Sequence, residues 1–304
     1  MLLHYYFLLE RGNVMLNSDL ALEAKEMYEE NAGEITEING VKATVIKEND
    51  ILITKVEILN ERGEQALGKP KGTYITIEFD NFDLRELAFC IKNQILSLVR
   101  QKSHLAVAGL GNVLITPDAI GPITVDNLIV TRHILEYNKG KFEDLFGWVS
   151  AIKTGVMSRT GLESSDIIKG FVKETGCDLL IAVDALKARE TKRLAHAVQI
   201  TDTGICPGSG VGNHRKEISR NTLAVPVIAI GVPMVVDSKT IVYDFLPKEN
   251  KDSLFEKIKN DITPMIVAPK ESDELVRKLG KTVAYGINLA FHNIEFDDLE
   301  GYID

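Results

Sequence analysis

The chain has 304 residues, 45% of them hydrophobic and 26% charged, with a formal net charge of −9. That length suffices for one large domain or two modest ones with a sizeable core, and the acidic balance argues against a general binder of phosphate backbones. The three cysteines, Cys90, Cys177 and Cys206, fall in no CxxC or zinc-type spacing, which points to a reducing, cytosolic compartment rather than a disulfide framework.

Residues 1–9 are apolar, but no basic region precedes them, Glu10 and Arg11 follow at once, and no small-residue cleavage site is evident. The run is too short to span a bilayer and reads as a loosely packed leader, with Met15 as an alternative start. Residues 18–28 read as a helix capped by Ser18 or Asp19, with Leu20, Ala24 and Met27 at helical spacing. Residues 41–46 and 51–58 alternate as antiparallel strands around a turn at 47–50. Residues 73–78 alternate as an edge or half-buried strand, and 83–101 read as a helix. From Leu105 the texture changes. Near-continuous apolar strands over 105–110, 148–152, 179–183 and 227–230 alternate with helical patterns over 121–137, 163–175, 215–222 and 272–294. Strands without polar alternation are buried on both faces. The spacing therefore predicts an α/β fold: a twisted, mostly parallel sheet flanked by helices, with an antiparallel strand region on its N-terminal side.

Two of these strands deliver an aspartate. The first leads through Gly109, Leu110, Gly111 and Asn112 to Thr116-Pro117-Asp118, and the third runs straight into Asp184. Chemistry collects outside the carboxyl ends of parallel strands, and two carboxylates at one rim could share a proton and activate a water. Singly, each has a plainer reading, Asp118 as a helix cap and Asp184 as a cap or the partner of Arg189. The run Gly208-Ser209-Gly210-Val211-Gly212-Asn213 lacks the GK[ST] ending of a phosphate loop, and no strong strand feeds it. Its glycines suit tight turns and the close approach of a substrate chain. His133, Glu163, Asp166 and His214 show no paired-histidine spacing for zinc. Cys206 has no histidine at a diagnostic spacing, and Ser209 is not in a GxSxG elbow.

Longer strings carry more. Gly109-Leu110-Gly111-Asn112, residues 116–122, Val130-Thr131-Arg132-His133, Gly155-Val156-Met157, residues 182–186 and 199–213, then 226–233 and 235–237, resemble the spore germination protease family of endospore-forming bacteria. The resemblance runs from about residue 18 to 302. It implies an endopeptidase that initiates degradation of small acid-soluble spore proteins during germination, in the cytoplasm of the forespore or spore core. It further implies a fold similar to hydrogenase-maturation proteases, a homotetramer, and no metal or organic cofactor. Neither a membrane nor direct nucleic-acid binding is expected. The family is an atypical aspartic peptidase family, and its proposed catalytic pair falls on Asp118 and Asp184.

The resemblance also implies a zymogen that cuts itself at an acidic residue followed by an apolar residue and alanine, with glutamate beyond. Ser18-Asp19-Leu20-Ala21-Leu22-Glu23 fits. That sets the self-cleavage bond between Asp19 and Leu20. Residues 1–19 become a leader or propeptide and 20–304 a single peptidase domain, with a mixed part at 20–100 and a parallel-sheet core and C-terminal helix at 105–304. Two departures stand out. Cys206 occupies a position where better-known relatives carry histidine, and the chain is shorter than relatives between Tyr243 and Pro264.

In this reading one carboxylate takes a proton from water while the other, protonated, polarises the scissile carbonyl or protonates the leaving amide. Backbone groups of Gly109, Gly111 and Asn112, and of Gly208, Ser209, Gly210, Gly212 and Asn213, form a candidate platform for the transition state. One alternative is a metal-dependent maturation-type peptidase on the same fold, with Asp118, Asp184 and His133 as ligands. The other is a non-catalytic binder of spore proteins.

Overall fold

The computed structural model describes residues 18–32, 38–99, 104–208, 215–247 and 249–303. The N-terminal hairpin forms as expected from β1 (Val41–Glu48) and β2 (Ile51–Ile58), and β3 (Gly72–Phe79) returns antiparallel to β2. The four apolar runs become β4 (His104–Leu110), β5 (Trp148–Gly155), β6 (Leu179–Ala188) and β8 (Val227–Asp237), all mutually parallel. Between the last two in the chain lies β7 (Ala197–Thr201), a strand the pattern did not announce because Gln199 and Thr201 interrupt its short apolar run. It pairs antiparallel with both β3 and β8. The antiparallel meander and the parallel core therefore share one sheet, in the order β1-β2-β3-β7-β8-β6-β4-β5, with β9 (Ile266–Val267) added to the end of β8.

Twelve helices surround it: α1 (Ala21–Ala32), α2 (Glu61–Leu67), α3 (Leu84–Leu98), α4 (Ile120–Asp126), α5 (Arg132–Tyr137), α6 (Met157–Thr160), α7 (Ser164–Thr175), α8 (Arg220–Leu223), α9 (Ser238–Phe245), α10 (Lys251–Ile258), α11 (Ser272–Phe291) and α12 (Leu299–Ile303), counted among the described residues. Asp83 caps α3 by accepting the Glu86 N–H at 3.0 Å. Two helical expectations fail for identifiable reasons. The helix expected over 121–137 is broken into α4 and α5, because Ile129 N–H is drawn to the Asn288 side chain (3.0 Å) and Thr131 N–H to the Val149 carbonyl (3.1 Å). The helix expected over 215–222 shrinks to α8, because Ile218 exchanges backbone hydrogen bonds with Ile205 and holds the preceding chain extended. Among the described residues no helix is long and apolar enough to cross a membrane.

Strand alternation gives the sheet two unlike faces. One carries Ile75, Ile77, Leu105, Val107, Ile181, Val183, Ile200 and Ile230, covered by α3 and α11 in one continuous core. The other carries two separate clusters. Ala106, Ala108, Leu180 and Ala182 pack with Ile168 and Val172 of α7, while Val56, Ile58 and Tyr74 pack with Ala21 of α1 and Leu67 of α2. Between these clusters, over β6, β8 and β7, the sheet floors a cleft.

Candidate active site

In the pairing register Asp184 of β6 stands opposite Gly231 of β8, and Gly231 stands opposite Gln199 of β7. Directly opposed residues share a face. Asp184 and Gln199 therefore rise from one face about 10 Å apart, two strand spacings, with no side chain on the residue between them. The cleft above this row has a volume of about 800 Å³ and is also lined by Asp19, Lys69, Gly111, Asp118, Leu186, Cys206, Gly208 and Arg215.

Glycines deliver Asp118 to the cleft. After β4, Gly111 adopts a φ of 106°, in the left-handed region, and a Cβ there would lie 1.9 Å from the Asp118 carbonyl oxygen. The short 3₁₀ turn Thr116–Asp118 thus folds back onto the strand end, where Asn112 N–H donates to the Asp118 carbonyl at 3.0 Å. α4 approaches just as closely. A Cβ on Gly109 would lie 2.3 Å from the Gly121 carbonyl oxygen, and one on Gly121 would lie 2.3 Å from that of Leu110 and 2.5 Å from that of Val183. Neither aspartate is a helix cap. α4 starts after Ala119 with no side-chain cap, and Asp184 lies inside β6, accepting the Ala185 N–H at 2.9 Å.

Asp184 is 6% exposed. Burial, and then the negative charge of Asp118, push its pKa up to about 8. Asp118 is raised too by burial, against the opposing pull of the Asn112 backbone and the Arg215 guanidinium. Two carboxylates coupled in this way titrate as a unit, and the charge of one opposes ionisation of the other.

The segment ahead of α1 enters the same cleft. Asp19 N–H donates to the Lys187 carbonyl (3.1 Å), and the Asp19 carboxylate accepts the Lys187 N–H (2.8 Å), so Asp19 docks on β6 instead of capping the helix. Ser18 Oγ accepts the Leu20 N–H at 2.9 Å and donates to Glu23. Leu20 is fully buried, and its carbonyl accepts the Ala24 N–H at 3.2 Å, which makes it the residue that opens α1. Glu23 anchors the start of the helix by accepting the N–H groups of Arg189 (2.6 Å) and Glu190 (3.0 Å), and Arg193 binds Glu26 at 2.6 Å and Glu78 at 2.7 Å.

Of the expected platform, Gly111 and Gly208 line the cleft. Gly109 lies beneath α4, and the Asn112 N–H serves the Asp118 turn. Ser209, Gly210, Gly212 and Asn213, like residues 1–17, lie outside the described residues. His133, the third ligand of the metal-peptidase alternative, is exposed on α5 and is not part of the cleft lining. Cys206 is an exposed residue in the cleft lining. Desolvation there and the charge of Glu217 push its thiol up, the opposite of an activated nucleophile. Lys69, Gln199 and Arg215 are among the cleft residues to which the sequence alone assigned no role. None sits in a motif of recognisable chemistry, and only the pairing of β7 with β8 brings Gln199 to the carboxylates.

The pattern that defines the germination protease family matches residues 21–247, most of the chain. The chain belongs to the germination protease family. It is similar to the germination protease of Caldanaerobacter subterraneus subsp. tengcongensis, at 44% identity over 90% of this chain and 94% of that protein. The germination protease of Clostridium acetobutylicum is 36% identical over 95% of this chain and 99% of its own length, and that of Priestia megaterium 44% identical over 78% and 67%. Among solved structures, a [NiFe] hydrogenase maturation protease, HycI, from Thermococcus kodakarensis KOD1 aligns with a TM-score of 0.37 at 15% identity, over 65% of this chain and 97% of that one. As a member of that family the chain is an endopeptidase, a hydrolase of peptide bonds acting in spore germination.

Proposed function

We propose that this endopeptidase initiates the degradation of small acid-soluble spore proteins in the spore core, with Asp118 and Asp184 activating a water. In this reading it is made as a zymogen that cuts itself between Asp19 and Leu20, releasing residues 1–19 from a single peptidase domain, and it works as a homotetramer without a direct nucleic-acid partner. One observation carries the proposal: two carboxylates share a cleft, and an acidic residue preceding an apolar one is docked beside them.

The chemistry follows from the electrostatics. The ionised member of the pair accepts a proton from water as its oxygen bonds to the carbonyl carbon. The carbonyl π pair moves onto oxygen, giving a tetrahedral intermediate. When the C–N bond breaks, that pair re-forms the carbonyl and the leaving nitrogen takes a proton from the carboxylate pair. Asp118→Asn and Asp184→Asn should each lower kcat by about 10³-fold or more while leaving the circular dichroism spectrum unchanged. Near-normal turnover of a spore-protein substrate by either variant would sink the two-aspartate mechanism. N-terminal sequencing of matured protein should begin at Leu20, and active enzyme that keeps residues 1–19 would rule out the processing step.

A further inference from the structure

The carbonyl oxygen of Asp19 is held by two side chains that lie outside the carboxylate pair. Lys69 Nζ donates to it at 3.1 Å, and to the preceding Ser18 carbonyl also at 3.1 Å, while Gln199 Nε2 donates to the Asp19 oxygen at 3.3 Å. The amide of Gln199 is oriented from its other end, where Oε1 accepts the Ala21 N–H at 2.8 Å. Backbone and carboxylate bonds to Lys187 fix Asp19 itself. Lys69 enters from the loop after α2, whose terminal Gly68 turns the chain with a φ of 61°. Gln199 stands in the same row as Asp184, across Gly231.

We infer that Lys69 and Gln199 are catalytic residues that bind the oxyanion, gripping the carbonyl oxygen on the acyl side of the bond to be cut. In self-cleavage that oxygen belongs to Asp19, and afterwards to the acidic residue of an extended substrate peptide. The inference rests on the two-aspartate reading above. As the water oxygen adds to the carbonyl carbon, the charge that gathers on this oxygen meets one ammonium and one amide N–H. The charge leaves it again when the C–N bond breaks. Donors already aimed at developing charge in a water-poor site stabilise a transition state more than a ground state. The cleft provides that setting: burial lowers the Lys69 pKa, against the opposing charges of Asp19 and Glu23.

The test uses the full-length chain, with self-cleavage followed by mass spectrometry and turnover measured on a synthetic peptide of the sequence at residues 15–26. Lys69→Met should cut kcat by about 10²–10³-fold with KM changed far less, and Lys69→Arg, which keeps charge and donors, should recover much of the loss. Gln199→Glu keeps an acceptor for Ala21 N–H but loses the donor, and should cut kcat by a smaller factor. If Lys69→Met fails to fold, Lys69→Gln, an uncharged donor, should fall between Met and Arg behaviour. A Lys69 variant that folds and turns over with wild-type kcat, or whose loss is confined to KM, overturns the oxyanion role. Asp118→Asn in parallel separates the two ideas. An inactive Asp118→Asn beside a fully active Lys69→Met removes only the oxyanion pair, whereas an active Asp118→Asn removes the carboxylate mechanism beneath it.

Discussion

The two faces of the sheet are made from the same strands and differ in almost everything else. On the face under α3 and α11, the buried core side chains of β3, β7, β8, β6 and β4 are mostly branched aliphatics, joined by Phe79 and Met234, and helices close over them. On the other face the same strands bury Thr76, Gln199, Thr201 and Asp184. Burying a carboxyl in a strand interior is costly, and the cost shows as its raised pKa. The contrast teaches that the sealed face holds the fold together, while the face broken into two clusters gives up some stability to keep polar groups dry and aimed at one another.

This contrast can be broken first at the carboxylates. Asp184→Asn should abolish activity, the largest effect expected of any single change, yet it should also raise stability on the alkaline side. The folded-state pKa of Asp184, about 8, lies above its ordinary value of 3.8. Its neutral form therefore favours the fold at low pH, and that contribution is lost as pH rises through 8. Thermal melts of wild type and Asp184→Asn should be similar near pH 4 and diverge in favour of the variant by pH 9.

Gly121→Ala comes next, because it strikes the packing of α4 on the ends of β4 and β6. Its Cβ would press on the carbonyls of Leu110 and Val183 at 2.3 and 2.5 Å, displacing α4 and the Asp118 turn. A displacement of that kind should cost about 10²-fold in kcat, together with about 1–3 kcal/mol of stability in urea unfolding.

The pH dependence sharpens the comparison without a mutation. Turnover should fall as pH passes about 8, where the pair loses its shared proton. A rate still climbing at pH 9 would contradict a mechanism that needs that proton.

On the sealed face, Ile91→Ala in α3 should destabilise by about 2–5 kcal/mol and leave kcat of the folded fraction unchanged, because the fully buried Ile91 packs on Gly286 of α11, away from the cleft. The smallest effect belongs to Cys206→Ser, for which self-cleavage and peptide turnover should stay at the wild-type rate.

Much of the fold was legible because it is written in local periodicity. Period-two alternation marked β1 and β2, continuous apolar runs marked β4, β6 and β8, and α3, α7 and α11 fell within a few residues of their expected bounds. What failed depended on distant partners. Asn288 on α11 interrupts the α4–α5 stretch, and Ile205 extends the chain before α8. β7 is too short and too polar to read as a strand until β3 and β8 flank it. The site divides in the same way. Asp118 and Asp184 stood out as strand-end carboxylates, whereas Lys69 on a loop and Arg215 on the lost helix carried no local signal, and Gln199, first in the 199–213 string, had no role assigned to it.

By itself, then, the sequence determined most of the strands, the long helices α3, α7 and α11, and the strings that carry the family resemblance. All of these are properties of neighbouring residues. Only the tertiary structure decided that β6, β8 and β7 lie side by side, that Gly231 separates Asp184 from Gln199, and that Asp19 docks on Lys187 beside them. The physical reason is that pairing register and charge coupling act through space: a carboxyl's pKa and a carbonyl's donors depend on which strands become neighbours, and no stretch of local sequence contains that information.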